Sequence, residues 1–354
     1  MAAERWEPAA FRERVDAVLH AFVAEEAGRL TAIDPVLGPV AGELEAAVAA
    51  GKRLRAAFCY WGWRAAGQPD SAALVRAAAA MELVHAAAVV HDDLIDDSPL
   101  RHGRPTAQVA LRAAVRGRPW AGNAARSLAL LVGDLLMSLA GQLFTTSGLP
   151  AAYLGRARPL WAALARDLVA GECLEILHTG GVPDTAASLK VIRYKTAKYT
   201  VEQPLLIGGA LAGAGGRLRA GYSAYGLPLG EAFQLRDDLL GLFGEPERTG
   251  KAAADDVRGR RPTALLAETW RLAGEAERAE LDALLGRSGP KDAAGDGVRA
   301  VRALMRRLKA PDRVEAMIAD RVAQALDAVD GLALPAPAAA ALTALAHSAT
   351  TRLS

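Results

Sequence analysis

Residues 71–97 form an alanine-rich apolar stretch that closes on His91-Asp92-Asp93-Leu94-Ile95-Asp96-Asp97. An apolar run of that length predicts a helix with its face in a core, and ionised groups held near a core need a charge partner. A metal is the partner this pattern favours. Asp92 and Asp96 stand four apart, so on a helix they project from one face with Cβ atoms ~5–6 Å apart. Mg²⁺ suits such a pair, because it takes one or two protein carboxylates and completes an octahedral oxygen shell with water and substrate phosphate. Taken alone, the six residues read equally well as a solvated acidic turn.

The rest of the 354 residues fits a helical setting. Hydrophobic residues make up 52%, ample for a core, and strand-like alternation of Val, Ile and Thr is nearly absent, so the chain is expected to be all-α. Spacing predicts helices over 8–30, 40–66, 71–97, 124–146, 151–178, 185–213 and 215–243, and helical spacing returns after a Gly-, Asp- and Arg-rich loop at 244–262. No linker long enough to separate domains appears, so residues 1–354 are expected to form a single domain. The net charge of +2 gives no reason to expect nucleic acid. Cys59 and Cys173 lie in apolar contexts without metal-ligand spacing and are expected to be buried free thiols. No apolar signal core opens the chain, and the apolar run 127–144, which holds Asp134 and Gln142, is short for a span. It is expected to be a buried core helix with Asp134 as its odd member, and the chain is expected to be cytoplasmic with no transmembrane segment.

A second acidic cluster, Phe233-Gln234-Leu235-Arg236-Asp237-Asp238-Leu239-Leu240-Gly241, again puts adjacent aspartates at the polar end of an apolar helix. Two such clusters are hard to explain as surface decoration. Facing each other, they would form an acidic rim for several Mg²⁺ ions, and the chemistry that uses such a rim is binding and expulsion of a diphosphate. Basic groups accompany them: Lys52, Arg53 and Arg55, then Arg101, Lys195 beside Thr196, and Lys251, Arg258, Arg260 and Arg261. Each alone is more often a surface charge; beside the acidic clusters they suit two anionic substrates, one held through metal and one directly by Lys and Arg.

Gly51-Lys52-Arg53-x-Arg55, Asp92-Asp93-x-x-Asp96 with Arg101 and Gly103-x-Pro105-Thr106, Lys195-Thr196-Ala197, and Phe233-Gln234-x-x-Asp237-Asp238 with Gly250-Lys251 resemble the motifs of the trans-isoprenyl diphosphate synthases, or polyprenyl synthetases. They occur in that family's order over about residues 45–265. The resemblance implies antiparallel helices around a central cavity, Mg²⁺ as cofactor and a homodimer. It assigns Asp92 and Asp96 to Mg²⁺ on an allylic diphosphate (dimethylallyl, geranyl or farnesyl) and Asp237 to a further Mg²⁺. Lys52, Arg55 and His85 match residues that hold isopentenyl diphosphate; Arg101, Lys195, Thr196, Gln234 and Lys251 match positions near the allylic substrate. A histidine on an apolar helix is usually a satisfied core residue, but His85 lies seven before Asp92 and so on its face.

Two positions depart from the family pattern. His102 stands where many members have a second arginine, which would make that contact to isopentenyl diphosphate weaker or pH-dependent. Gly241 stands where the second motif often has its last aspartate, with Asp255-Asp256 nearby. The implied reaction ionises the allylic diphosphate in a cavity that excludes water; isopentenyl diphosphate attacks the cation, and a proton leaves. The Thr196 hydroxyl and the Gln234 amide are placed to shield the cation.

Reading back along the helix from Asp92, Ala88, Val84 and Met81 share its face and Ala87 is adjacent. Aromatic residues immediately upstream of the first motif stop growth at fifteen carbons in the family, and here Ala87 and Ala88 remove that floor. The expected product is therefore geranylgeranyl diphosphate (C20), with chains of C25 or above as the alternative. A helical terpene cyclase would leave Lys52 and Arg55 idle, and intact Asp92, Asp96, Lys195 and Asp237 argue against a catalytically silent partner subunit.

Overall fold

The computed structural model describes residues 6–101, 103–244, 255–287 and 296–350. Helix α1 (Pro8–Ile33) begins on a proline, tolerated in a first turn because that N–H has no helical partner. Asp34 ends it and opens a 3₁₀ turn (Pro35–Leu37), its side chain accepting from the Val36 amide at 2.9 Å. Next come α2 (Gly38–Val48), α3 (Leu54–Ala65) and α4 (Ala72–Ile95), the last capped by the Ser71 hydroxyl. Short strands β1 (Leu100–Arg101) and β2 (Arg104–Pro105) pair antiparallel. Then follow α5 (Ala107–Ala110), α6 (Ala121–Thr145), α7 (Ala151–His178), α8 (Thr185–Val191), a π-helix (Ile192–Glu202), α9 (Gln203–Ala212) and α10 (Gly216–Phe243). Helices α11 (Asp255–Arg258), α12 (Ala264–Leu272), α13 (Glu275–Arg287), α14 (Asp296–Arg307), α15 (Ala310–Asp330) and α16 (Ala336–Thr350) complete an all-α fold.

The chain separates into two compact units, Met1–Arg158 with Ile207–Ala214 and Pro159–Leu206 with Gly215–Ser354, and passes between them inside α7, inside α9 and in the turn between α9 and α10. In the first unit α1, α2, α3 and α6 all pack on α4, whose buried alanines at 77–80, 86 and 87 leave room for their approach. Contacts of His91 with Leu130 and of Leu94 with Arg126 make α4 and α6 antiparallel. In the second unit α10 is flanked by the π-helix and α15, and the buried Glu231 carboxylate joins all three by accepting from Arg193 and Arg321, both at 2.8 Å.

Four expectations change. The helix expected over 40–66 is two helices, because Gly51 (φ 155°) and Arg53 (φ 54°) adopt backbone that no regular helix holds. The helix expected over 185–213 contains the π-helical stretch. Run 127–144 is buried on one side only: Val132, Leu136, Leu139 and Leu143 face the core, whereas Leu130, Leu131 and Asp134 are exposed. Cys59 is buried as expected, but Cys173 is exposed on α7. Among the described residues two helices, α4 and α6, have the length and apolarity of a membrane span, with 67% and 44% of their most apolar windows buried.

Candidate active site

In the first unit the chemistry gathers on α4 and the chain on either side of it. Asp92 lies in the last turn of α4 and Asp96 caps it in helical conformation (φ −80°, ψ −7°), so the four-residue spacing is carried on one helical face. Asp93, one step round, is buried. Arg101 forks onto the pair, Nε donating to Asp93 Oδ1 at 2.9 Å and an Nη donating to Asp92 Oδ2 at 2.8 Å. Burial alone would lower the Arg101 pKa; its bonds to Asp93 and Asp92 hold it above the ordinary value. His91, beside Asp92, is pressed against α6. Its Nε2 lies 3.2 Å from the Leu130 carbonyl oxygen and 3.5 Å from Asp134 Oδ1, in space that exists because Gly133 has no Cβ.

The basic segment splits in two. Arg53 is 4% exposed and turns inward, Nε donating to Asp16 at 2.6 Å and Nη2 to the Val48 carbonyl at 2.5 Å, so it is structural. Lys52 is exposed and Arg55 lies buried in the first turn of α3. That turn is tied to α4 by Glu82, which accepts from the Ala56 amide at 2.9 Å. Lys52, Arg55, His85, Asp92, Asp96 and Arg101 thus belong to one unit. Upstream on α4, Met81, Val84 and Ala87 are buried and Ala88 is half-buried.

The second unit holds Lys195, Thr196, Gln234 and Asp237. Lys195 Nζ donates to Glu175 at 2.8 Å and meets Glu172 at 3.0 Å. The Thr196 hydroxyl donates to Gln234 Oε1, and Gln234 Nε2 donates to Asp238, each at 2.8 Å. Burial, then the charges of Asp256, Asp237 and Glu175, push Asp238 up to about 8 against the lowering effect of the Gln234 amide. Asp256 also answers the departure at Gly241. Its Oδ2 lies 3.7 Å from where a Cβ on Gly241 would stand, so a carboxylate from α11 reaches the place where the motif lacks one. His102 and Lys251 lie outside the described residues.

Glu172 and Glu175 had no signal in the sequence, because two glutamates on an outer helix read as solvated surface. Their meaning comes from α7 packing antiparallel to the π-helix. Gly171 permits it: a Cβ there would stand 2.1 Å from the Lys195 backbone nitrogen. On the other side a Cβ on Gly230 would stand 2.4 Å from Ala197 Cα.

The donor set fits Mg²⁺. Every candidate ligand is a carboxylate, and the mutual repulsion around Asp238 is what a divalent cation relieves. Among the described residues no three acidic, imidazole or thiol groups converge as a ready-made cage, which suits a cation that brings substrate oxygens and water with it.

An all-α chain with carboxylate and cation clusters at its helix ends is the architecture of an enzyme that works on diphosphates. The chain belongs to the polyprenyl synthetase family, whose model matches residues 40–301, and is a prenyl diphosphate synthase, a prenyltransferase. It is 34% identical over 304 residues to (2E,6E)-farnesyl diphosphate synthase of Mycobacterium tuberculosis, covering 84% of this chain and 78% of that one. It is 32% identical over 258 residues to geranylfarnesyl diphosphate synthase of Aeropyrum pernix, covering 71% and 74%. The crystal structure of geranylgeranyl pyrophosphate synthase from Corynebacterium glutamicum, complexed with isoprenyl diphosphate and magnesium, superposes with a TM-score of 0.91 at 30% identity, covering 98% of this chain and all of that one.

Proposed function

We propose that the chain condenses isopentenyl diphosphate with an allylic diphosphate (dimethylallyl, geranyl or farnesyl) to make all-trans geranylgeranyl diphosphate (C20). One observation carries the chain length: α4 bears Asp92 and Asp96 at one end and, reading back, the small Ala87 and Ala88 followed by the larger, buried Val84 and Met81. A tail anchored by its diphosphate at the aspartates passes the alanines and meets the larger side chains a turn or two later. The likeness to the Corynebacterium glutamicum enzyme supports this length, while the farnesyl and geranylfarnesyl relatives bracket it.

Asp92 and Asp96 would hold Mg²⁺ on the allylic diphosphate and Asp237 a further ion; bound there, the metal supplies Lewis-acid stabilisation of the departing diphosphate. Lys52, Arg55 and His85 bind isopentenyl diphosphate, with His102 as its weaker outer contact. Arg101, Lys195 and Lys251 hold the allylic diphosphate, Arg101 exchanging Asp92 for a phosphate oxygen. As the carbon–oxygen bond breaks, the dipoles of Thr196 and Gln234 face the positive charge on carbon, and the isopentenyl double bond supplies the electrons of the new carbon–carbon bond. A proton then leaves for an oxygen of the released diphosphate, which ends the cycle. The whole chain acts as one cytoplasmic polyprenyl synthetase domain, since the family match crosses both units. It works as a homodimer, for which the exposed Leu130 and Leu131 on α6 and Val169, Ile176 and Leu177 on α7 provide apolar surface.

The test is to incubate the purified chain with Mg²⁺, isopentenyl diphosphate and each allylic primer, then to hydrolyse and size the products. The expected product is C20, and Ala88→Phe is expected to shorten it to C15. No consumption of isopentenyl diphosphate with any primer would overturn the reaction. An unchanged product in Ala88→Phe would overturn α4 as the ruler, and products of C25 or above from the wild type would favour the longer-chain reading.

A further inference from the structure

Two side chains outside the motifs fasten the turn that carries Asp92 and Asp96. A helix ends with carbonyls that have lost their partners, and two carboxylates four apart repel each other, so an unsupported last turn frays. Here two of those carbonyls are met from outside the helix. Asp93 O accepts from the Ser98 amide at 2.9 Å and from Gln108 Nε2 at 3.2 Å. Leu94 O accepts from Arg126 Nη2 at 3.0 Å. Gln108, 3% exposed, also donates to the Ser98 carbonyl at 3.2 Å, and its Oε1 accepts from Arg126 Nη1 at 3.2 Å. The same Nη1 donates at 2.8 Å to Asp97, a non-glycine residue at φ 52°, a conformation that persists only where its surroundings hold it. One buried amide and one guanidinium thus tie α5 and α6 to the end of α4.

We infer that Gln108 and Arg126 are positioning residues, which keep the last turn of α4 helical so that Asp92 and Asp96 present their carboxylates together to the cation-bound diphosphate. The inference rests on the reading that those aspartates hold Mg²⁺. Gln108→Glu tests it with almost no change of shape, because it replaces the donating NH₂ by an acceptor facing the Asp93 and Ser98 carbonyls. Arg126→Lys keeps the charge but cannot fork onto Leu94 and Asp97 together.

Each variant is compared with wild type for its thermal midpoint alone, the rise in midpoint on adding Mg²⁺ with inorganic diphosphate, and the Mg²⁺ dependence of the rate. Loss of a residue that orients a ligand typically weakens metal affinity ~10-fold or more. The half-saturating Mg²⁺ concentration is therefore expected to rise about tenfold in Gln108→Glu and less in Arg126→Lys. The diphosphate-induced rise in midpoint is expected to shrink, with KM for isopentenyl diphosphate unchanged. Wild-type Mg²⁺ dependence in both variants would overturn the inference, as would a lowered midpoint alone. If Gln108→Glu does not fold, Arg126→Lys decides by the same readouts. Asp92→Asn separates the two ideas: if it leaves both the Mg²⁺ dependence and the midpoint rise unchanged, the ligand reading is what fails.

Discussion

Asp238 shows how far the surroundings of one residue can set its charge. Burial and the neighbouring acids raise it from an ordinary 3.8 to about 8, so between those values the folded chain holds a proton that the unfolded chain releases. Stability therefore falls as pH rises through that window. In a chelator that removes divalent cations, the wild-type thermal midpoint is expected to drop from about pH 5 to about pH 8 more steeply than that of Asp238→Asn. Equal slopes would mean that Asp238 ionises without penalty. The sequence displays Asp237-Asp238 as a pair and cannot tell which member is buried. The same limit applies to Lys52-Arg53-Leu54-Arg55, where the left-handed turn at Arg53 leaves Lys52 exposed while Arg53 and Arg55 are buried. Asp92 and Asp96 were legible because they stand four apart on one helix, and Lys195 and Gln234 because they sit in stretches that resemble the family's motifs. Glu172 and Glu175 were hidden because their partner lies 20 or more positions away, on another element.

At the level of elements, most helices and boundaries follow from apolar period and from Gly and Pro, but no residue type marks a switch from i→i+4 to the i→i+5 bonds of a π-helix. What distinguishes Ile192–Glu202 is the bare backbone pressed against it, and this gives a graded prediction. A methyl at Gly171 meets the Lys195 backbone, which has nowhere to turn, whereas a methyl at Gly133 meets the His91 ring, which can rotate. Overpacking costs about 1–3 kcal/mol and more where backbone must shift. Gly171→Ala is thus expected to lose more stability in chemical denaturation than Gly133→Ala. Gly133→Ala should instead lose activity, because the ring it displaces adjoins Asp92. The reverse ranking would show that α7 can slide along the π-helix.

For the molecule as a whole, the all-α architecture was readable in the scarcity of strand-like runs. The division into two units was not, since two of the three crossings between them fall inside continuous helices and the third in a short turn between helices. The proposed association of two copies would draw on surface the chain leaves uncovered: Val169 is 58% and Leu177 80% exposed. Light scattering is expected to give twice the mass of the chain for wild type and a single mass for a variant carrying Val169→Glu with Leu177→Glu. A monomeric wild type would remove the dimer.

The thiol that sequence reasoning expected to be buried bears on this directly. Cys173 follows Val169 by four positions and precedes Leu177 by four, so on α7 it lies along the same strip. Burial pushes Cys59 up to about 12 and leaves it inert, so of the two cysteines only Cys173 is open to a thiol reagent. If copies associate through α7, the native chain carries a chemical reporter at that surface: labelling of Cys173 would slow as copies come together and quicken as they part, with no engineered cysteine required.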